Sequence, residues 1–169
     1  MKSRGFPPVV GTDPRVLVLG SLPGRASLEA GEYYAQPRNA FWSIMESLCG
    51  AHRDDAYDQR LNALTNAGVA LWDVLLEADR PGSLDASIVV ATQRVNAVAE
   101  FIAHHASLEL IAFNGKKSAE VYRRSIAAEV SRTGLQSVVL PSTSPAFASL
   151  RWQQKLEIWR RALEPHLTT

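Results

Sequence analysis

The sequence predicts an α/β fold in three layers (α/β/α), with a central four-stranded parallel sheet and helices on both faces. Short, apolar, β-branched runs recur at 16–19, 69–72, 108–113 and 137–140. Segments with helical spacing of apolar residues separate them, so strand and helix alternate along the chain. Unusual residues follow the first, third and fourth runs, and ligands of such sheets bind beyond the carboxyl ends of the strands.

The run at 16–19 is wholly apolar and reads as a buried strand, ended by the turn Gly20-Ser21-Leu22-Pro23-Gly24. From 39 to 48, Phe41, Ile44, Met45 and Leu48 share one helical face, with Asn39 placed as N-cap. A second helix covers 56–67 and stops at Gly68. The second strand follows at 69–72. Residues 77–87 are polar and carry Pro81-Gly82, which predicts a loop. Residues 90–104 predict a helix with Val95, Val98, Phe101 and Ile102 inward. The third strand, 108–113, closes at Asn114-Gly115, and a helix over 116–129 follows. The fourth strand, 137–140, leads through a loop at 141–145 to a last helix over 150–163. With no repeat or linker, the 169 residues are expected to form one domain, 1–169.

Composition excludes several classes. Hydrophobic residues make up 46% and charged residues 21%, values of a soluble globular chain. No run of about 18 apolar residues exists and residues 1–8 lack an apolar signal core, so we expect a cytoplasmic protein without membrane contact. The lone Cys49 builds neither a disulfide nor a thiolate metal site, and His52, His104, His105 and His166 lack metal-ligand spacing. No cofactor is expected. The net charge of +1 neither demands nor excludes nucleic acid, because a local basic rim suffices.

Four segments carry chemistry. In 20–24 the glycines let backbone approach a ligand closely, though a purely structural turn fits as well. In Tyr33-Tyr34-Ala35-Gln36-Pro37-Arg38-Asn39-Ala40-Phe41-Trp42, Tyr34 offers a stacking face and Arg38 a phosphate contact. Phe41 and Trp42 read as core there, and Asn39 reads equally as cap or as site. Asn114 ends a buried strand with an amide that offers donor and acceptor together, and Lys116 and Lys117 follow as candidate phosphate contacts or as a solvated helix start. In Pro141-Ser142-Thr143-Ser144-Pro145-Ala146-Phe147, two prolines stiffen a loop whose hydroxyls suit phosphate. Leu140, Ala146 or Phe147 would serve as a wedge into a base stack. Asp73, after the second strand, is a lesser candidate for a water or ribose contact and reads first as a turn cap.

These motifs, in this order, resemble the uracil-DNA glycosylase superfamily over about residues 16–163. The turn at 20–24 looks like its water-positioning motif, residues 34–42 like the base-stacking segment of the mismatch-specific branch, and residues 141–145 like its DNA-intercalating motif. The Tyr-Tyr-x-x-Pro-x-Asn-x-Phe-Trp pattern is most similar to the hypoxanthine-DNA glycosylase branch. Mismatch-specific relatives carry a catalytic Asn where this chain has Leu22, and leucine positions no water. The hypoxanthine branch lacks that group too and is thought to use the Asn of its Pro-x-Asn segment, which here is Asn39.

The resemblance implies a monofunctional DNA glycosylase that excises deaminated bases, hypoxanthine above all, from single- or double-stranded DNA. Asn39 would position water; Gly20, Ser21, Leu22, Tyr34 and Asn114 would hold the base. Arg38, Lys116, Lys117, Ser142, Thr143, Ser144, Pro145 and Ala146 would contact DNA. A mismatch-specific uracil enzyme and a non-catalytic damaged-DNA-binding module are the alternatives. The protein is expected to work as a monomer without an obligate protein partner.

Overall fold

The computed structural model describes residues 2–168. Its core is a four-stranded parallel sheet in which β2 (Val16–Gly20) and β6 (Leu110–Asn114) are central, and β3 (Val69–Asp73) and β7 (Gln136–Leu140) flank them in the order β3-β2-β6-β7. The chain runs outward one way from β2 to β3 and the other way from β6 to β7. The crevice beyond the carboxyl ends of β2 and β6 is therefore the switch point where α/β sheets bind ligands.

Side-chain alternation builds the three layers. Val16, Val18, Leu71, Leu110 and Ala112 face α2 (Phe41–Cys49), α3 (Tyr57–Asn66) and α6 (Trp152–Leu163). Leu17, Leu19, Trp72, Ile111 and Phe113 face α4 (Val98–His104) and α5 (Lys116–Ser125). Both faces being buried explains why β2, β3 and β6 read as continuous apolar runs, whereas the edge strand β7 is largely exposed. No helix among the described residues is long and apolar enough to cross a membrane.

Three expectations are corrected. The segment 90–104 is not one helix: Val90–Thr92 is a 3-10 turn, Arg94–Val95 forms β5, and only Val98–His104 is α-helical. Polar groups at every second position explain this. The Thr92 hydroxyl accepts the Asp79 amide at 2.8 Å, Arg94 meets Glu77 at 3.0 Å, and Asn96 Nδ2 donates to the carbonyls of Asp73 and Leu75 at 2.8 and 3.1 Å. Leu75–Asp79, partly within the expected loop, is β4, which pairs antiparallel with β1 (Lys2–Arg4) and with β5 in a second, small sheet. A further helix, α1 (Arg25–Ala30), follows the 20–24 turn and buries only Ser27, so it has no apolar stripe to announce it.

Asn96 is buried and fastens the end of β3 to this second sheet. Asn96→Ala strips two carbonyls of that donor and is expected to cost about 1–3 kcal/mol. Urea unfolding with an unchanged m-value measures it, and an unaltered midpoint would remove this role from Asn96.

Candidate active site

A cleft of about 880 Å³ opens at the carboxyl edge of the parallel sheet. It gathers the 20–24 turn, Tyr34, Arg38, Asn39, Asp73, Asp85, Asn114 and residues 142–147. Gly20, Ser21, Leu22, Arg38, Ser142, Thr143, Ser144, Pro145 and Ala146 thus meet at one place, as does every other sequence candidate except Leu140, Lys116 and Lys117. Those two lysines begin α5 outside the cleft lining.

The floor is set by strand register. Gly20 ends β2 opposite Asp73, which ends β3. A Cβ on Gly20 would lie 2.5 Å from Asp73 Oδ1 and 3.2 Å from the Tyr34 hydroxyl, so only glycine lets these groups converge. Asp73 is 4% exposed, and its Oδ2 has no hydrogen-bond partner among the described residues. Burial, helped by the nearby Asp85 charge and opposed by Arg80, raises its pKa from 3.8 to about 7. Arg80 is itself buried, and its guanidinium donates to the carbonyls of Leu22 and Pro23, pinning the turn. The Ser21 hydroxyl donates to Asp85 Oδ1 at 2.6 Å.

Tyr34 forms the wall. Its φ of 56° lies in the left-handed region, a conformation that costs a non-glycine residue about 1–3 kcal/mol. Bonds on both sides hold it there: Ala35 N–H donates to Ser27 Oγ at 3.1 Å, and Trp42 Nε1 donates to the Tyr33 carbonyl at 3.0 Å. The ring stacks on Phe41 with centroids 4.1 Å apart. Burial, then the Asp73 charge, lifts the hydroxyl pKa well above the usual phenol range, so it stays a neutral donor.

Asn39 was expected as the N-cap of α2, but Ala40 holds that position, because the helix begins at Phe41. Its Oδ1 accepts the Phe41 amide at 3.0 Å at the start of α2, and the residue also lines the cleft. Ala40 N–H donates to the Thr143 carbonyl at 2.9 Å, which ties this segment to the loop after β7.

Asn114 is more a clamp than the sequence suggested. Its Oδ1 accepts the Thr143 amide at 2.9 Å and its Nδ2 donates to Thr143 Oγ1 at 3.0 Å. Thr143 is 1% exposed as a result, which leaves phosphate contact to Ser142 and Ser144. Leu140 is buried in the core and is no wedge, whereas Ala146 and Phe147 are exposed at the cleft edge. Lys155 from α6, also buried, donates to the Ser144 carbonyl at 3.2 Å and sits over the Phe147 ring. Sequence reasoning ranked Asp73 low and missed Arg80, Asp85 and Lys155. For Asp73 a signal existed: Val-Ala-Leu-Trp-Asp ends in one polar residue just as Leu-Ile-Ala-Phe-Asn does.

Comparison with known proteins bears on the family and the fold. The family model for the uracil DNA glycosylase superfamily matches residues 7–165. A hypoxanthine DNA glycosylase of Methanosarcina barkeri is 38% identical over 121 residues, 71% of this chain and 75% of the relative. One from Methanosarcina acetivorans is 35% identical over 147 residues, 86% and 89% of the two chains. The solution NMR structure of a candidate uracil DNA glycosylase from Methanosarcina acetivorans superposes with a TM-score of 0.76 at 32% identity, covering 95% of this chain and 98% of that one.

The buried carboxyl leaves a mark on stability. A folded-state pKa above the unfolded value means the stabilisation is complete below pH 3.8, declines as pH rises, and is lost above about 7. Thermal unfolding of Asp73→Asn against the parent is expected to show a difference growing in the variant's favour between these limits and level beyond them. A difference independent of pH would mean that Asp73 ionises normally.

Proposed function

The chain belongs to the uracil DNA glycosylase superfamily, and on that premise we propose that its cleft receives a deaminated base flipped out of DNA and hydrolyses the N-glycosidic bond, with hypoxanthine preferred. The observation that carries this reading is the meeting of Asn39, Tyr34, Asp73 and the 20–24 turn in one cleft with Leu22 in the turn.

A base must leave the stack before its sugar carbon is reachable. The sugar then gains oxocarbenium character while negative charge gathers on the base, so the protein has to place a water and direct donors at the base. Leu22 supplies no polar atom for the water. Asn39 does: Oδ1 keeps a second lone pair beyond the Phe41 amide, and Nδ2 remains a donor. The strained Tyr34 brings an aromatic wall and a neutral hydroxyl to the base. The clamped 141–147 loop presents Phe147 at the edge as the group to fill the gap in the stack, with Arg38 and the Ser142 and Ser144 hydroxyls toward phosphate.

Hypoxanthine and uracil both present a carbonyl acceptor beside a ring N–H donor, whereas adenine and cytosine present the reverse. One set of groups therefore accepts hypoxanthine and uracil and rejects adenine and cytosine, their parents. Alkali nicking of labelled duplexes carrying one hypoxanthine, uracil or xanthine, in excess enzyme, tests the proposal. Hypoxanthine is expected to be cut fastest. Fastest cutting at uracil would assign a mismatch-uracil role, and binding without cutting would leave a non-catalytic module.

Asn39→Ala is expected to lower single-turnover excision by about 100-fold or more. Its affinity for an abasic duplex should stay within about twofold of the parent's, since Asn39 acts on the water rather than on the DNA. The lost bond to the Phe41 amide costs about 1 kcal/mol, so Asn39→Asp, which keeps an accepting oxygen, separates folding from chemistry. Near-normal excision by folded Asn39→Ala would remove the residue from the mechanism.

A further inference from the structure

Resting on the reading that the cleft takes a deaminated base, we propose that Asp73 acts in its neutral, protonated form as the hydrogen-bond donor to the carbonyl oxygen of the departing base. The carboxyl sits on the cleft floor, packed against Gly20 and beside the Tyr34 hydroxyl, with Oδ2 unpartnered among the described residues. An unpartnered buried oxygen is costly unless something completes it, and this carboxyl belongs to a residue that lines a ligand cleft.

Charge decides which form works. A carboxylate on this floor would repel a base that gathers negative charge as its bond breaks. A carboxyl has the opposite effect: its O–H donates to the base carbonyl while its own carbonyl oxygen accepts the neighbouring ring N–H. The pair matches the edge that hypoxanthine, xanthine and uracil share. When the C1′–N bond breaks, its electron pair leaves with the base and charge spreads to the carbonyl oxygen. The O–H···O bond then strengthens in the transition state. Water oxygen bonds to C1′, one water proton ends on the released base, and the Asp73 proton is shared without being consumed.

The surroundings favour the neutral form. Asp85, from the turn Asp85–Ser87, faces Asp73 with a like charge. Arg80, beyond β4, is the opposing cation; its two terminal nitrogens donate to the carbonyls of Leu22 and Pro23, its buried Nε has no partner among the described residues, and burial still outweighs its charge at Asp73. Tyr33 and Tyr34, from the segment before α2, are uncharged phenols held far above neutral titration by burial. Asn96 reaches only the Asp73 backbone carbonyl.

Single-turnover excision of hypoxanthine between pH 5.5 and 9 tests the proposal with the parent, Asp73→Asn and Asp73→Ala. The parent rate should be level at low pH and fall about tenfold per unit once Asp73 ionises, near pH 7. Asp73→Asn stays neutral and donates through Nδ2, so it should keep at least about a tenth of the parent plateau and lose the alkaline fall. Asp73→Ala should drop about 100-fold or more at every pH. A parent rate that rises with pH, or an Asp73→Asn variant as slow as Asp73→Ala while still binding abasic DNA, would show that a carboxylate is required and overturn the proposal. Infrared difference spectra at pH 6 give a readout apart from activity: a protonated-carboxyl C=O band present in the parent and missing in Asp73→Asn is expected, and its absence from the parent overturns the proposal. If the parent excises no deaminated base at any pH, the reading of the cleft fails and this proposal with it; if only the pH profile is inverted, the cleft reading stands alone.

Discussion

Parallel pairing of β2 with β3 on one side and β6 on the other sets Gly20 opposite Asp73 and carries Asn114 to the same edge of the sheet. Each strand buries its whole apolar run and then ends in a glycine or a polar side chain at the point where the two central strands part. A one-residue slip in either pairing would turn these ends to the opposite face and scatter the cleft. The register itself rests on both sheet faces being packed, α2, α3 and α6 on one and α4 and α5 on the other. Core packing therefore does more for the site than any contact within it.

The loops are fastened to that edge by hydrogen bonds that use up polar groups. Asn114 clamps Thr143, Ala40 meets the Thr143 carbonyl, Arg80 pins the 20–24 turn, and Trp159 Nε1 donates to the Pro141 carbonyl at 2.9 Å. What stays unsatisfied is informative by contrast. Asp73 keeps a bare oxygen, and Tyr34 keeps a left-handed backbone without being glycine. Both features cost stability, and both border the same cleft, which is how a preorganised site differs from a merely well-packed one.

Three of the parallel strands, β2, β3 and β6, were legible in the sequence because burial on both faces removes the polar alternation that blurs other strands; the edge strand β7, largely exposed, was legible from its β-branched Val138 and Val139. The small second sheet was not. Leu75–Asp79 contains Glu77, which is buried only because Lys2 and Arg94 pair with it, and a charge inside a strand reads as a loop until its distant partners are known. Val95 suggested an inward helical position but is exposed, while Thr92, Arg94 and Asn96 make the contacts that shape the segment. Within the site, motif spacing placed Asn39, Tyr34 and the 141–147 loop together. It underrated Asp73, whose importance comes from a pairing register and from a burial that outweighs the nearby Arg80 charge, neither of which is a local property of the chain.

The central claim is that this cleft breaks the bond between a deaminated base and its sugar. Mass spectrometric quantification of free base, released from a duplex bearing a single hypoxanthine in excess enzyme, tests it most directly. The account predicts one free hypoxanthine per lesion, matched by one intact abasic site. Tight binding of the duplex with no free base would contradict it.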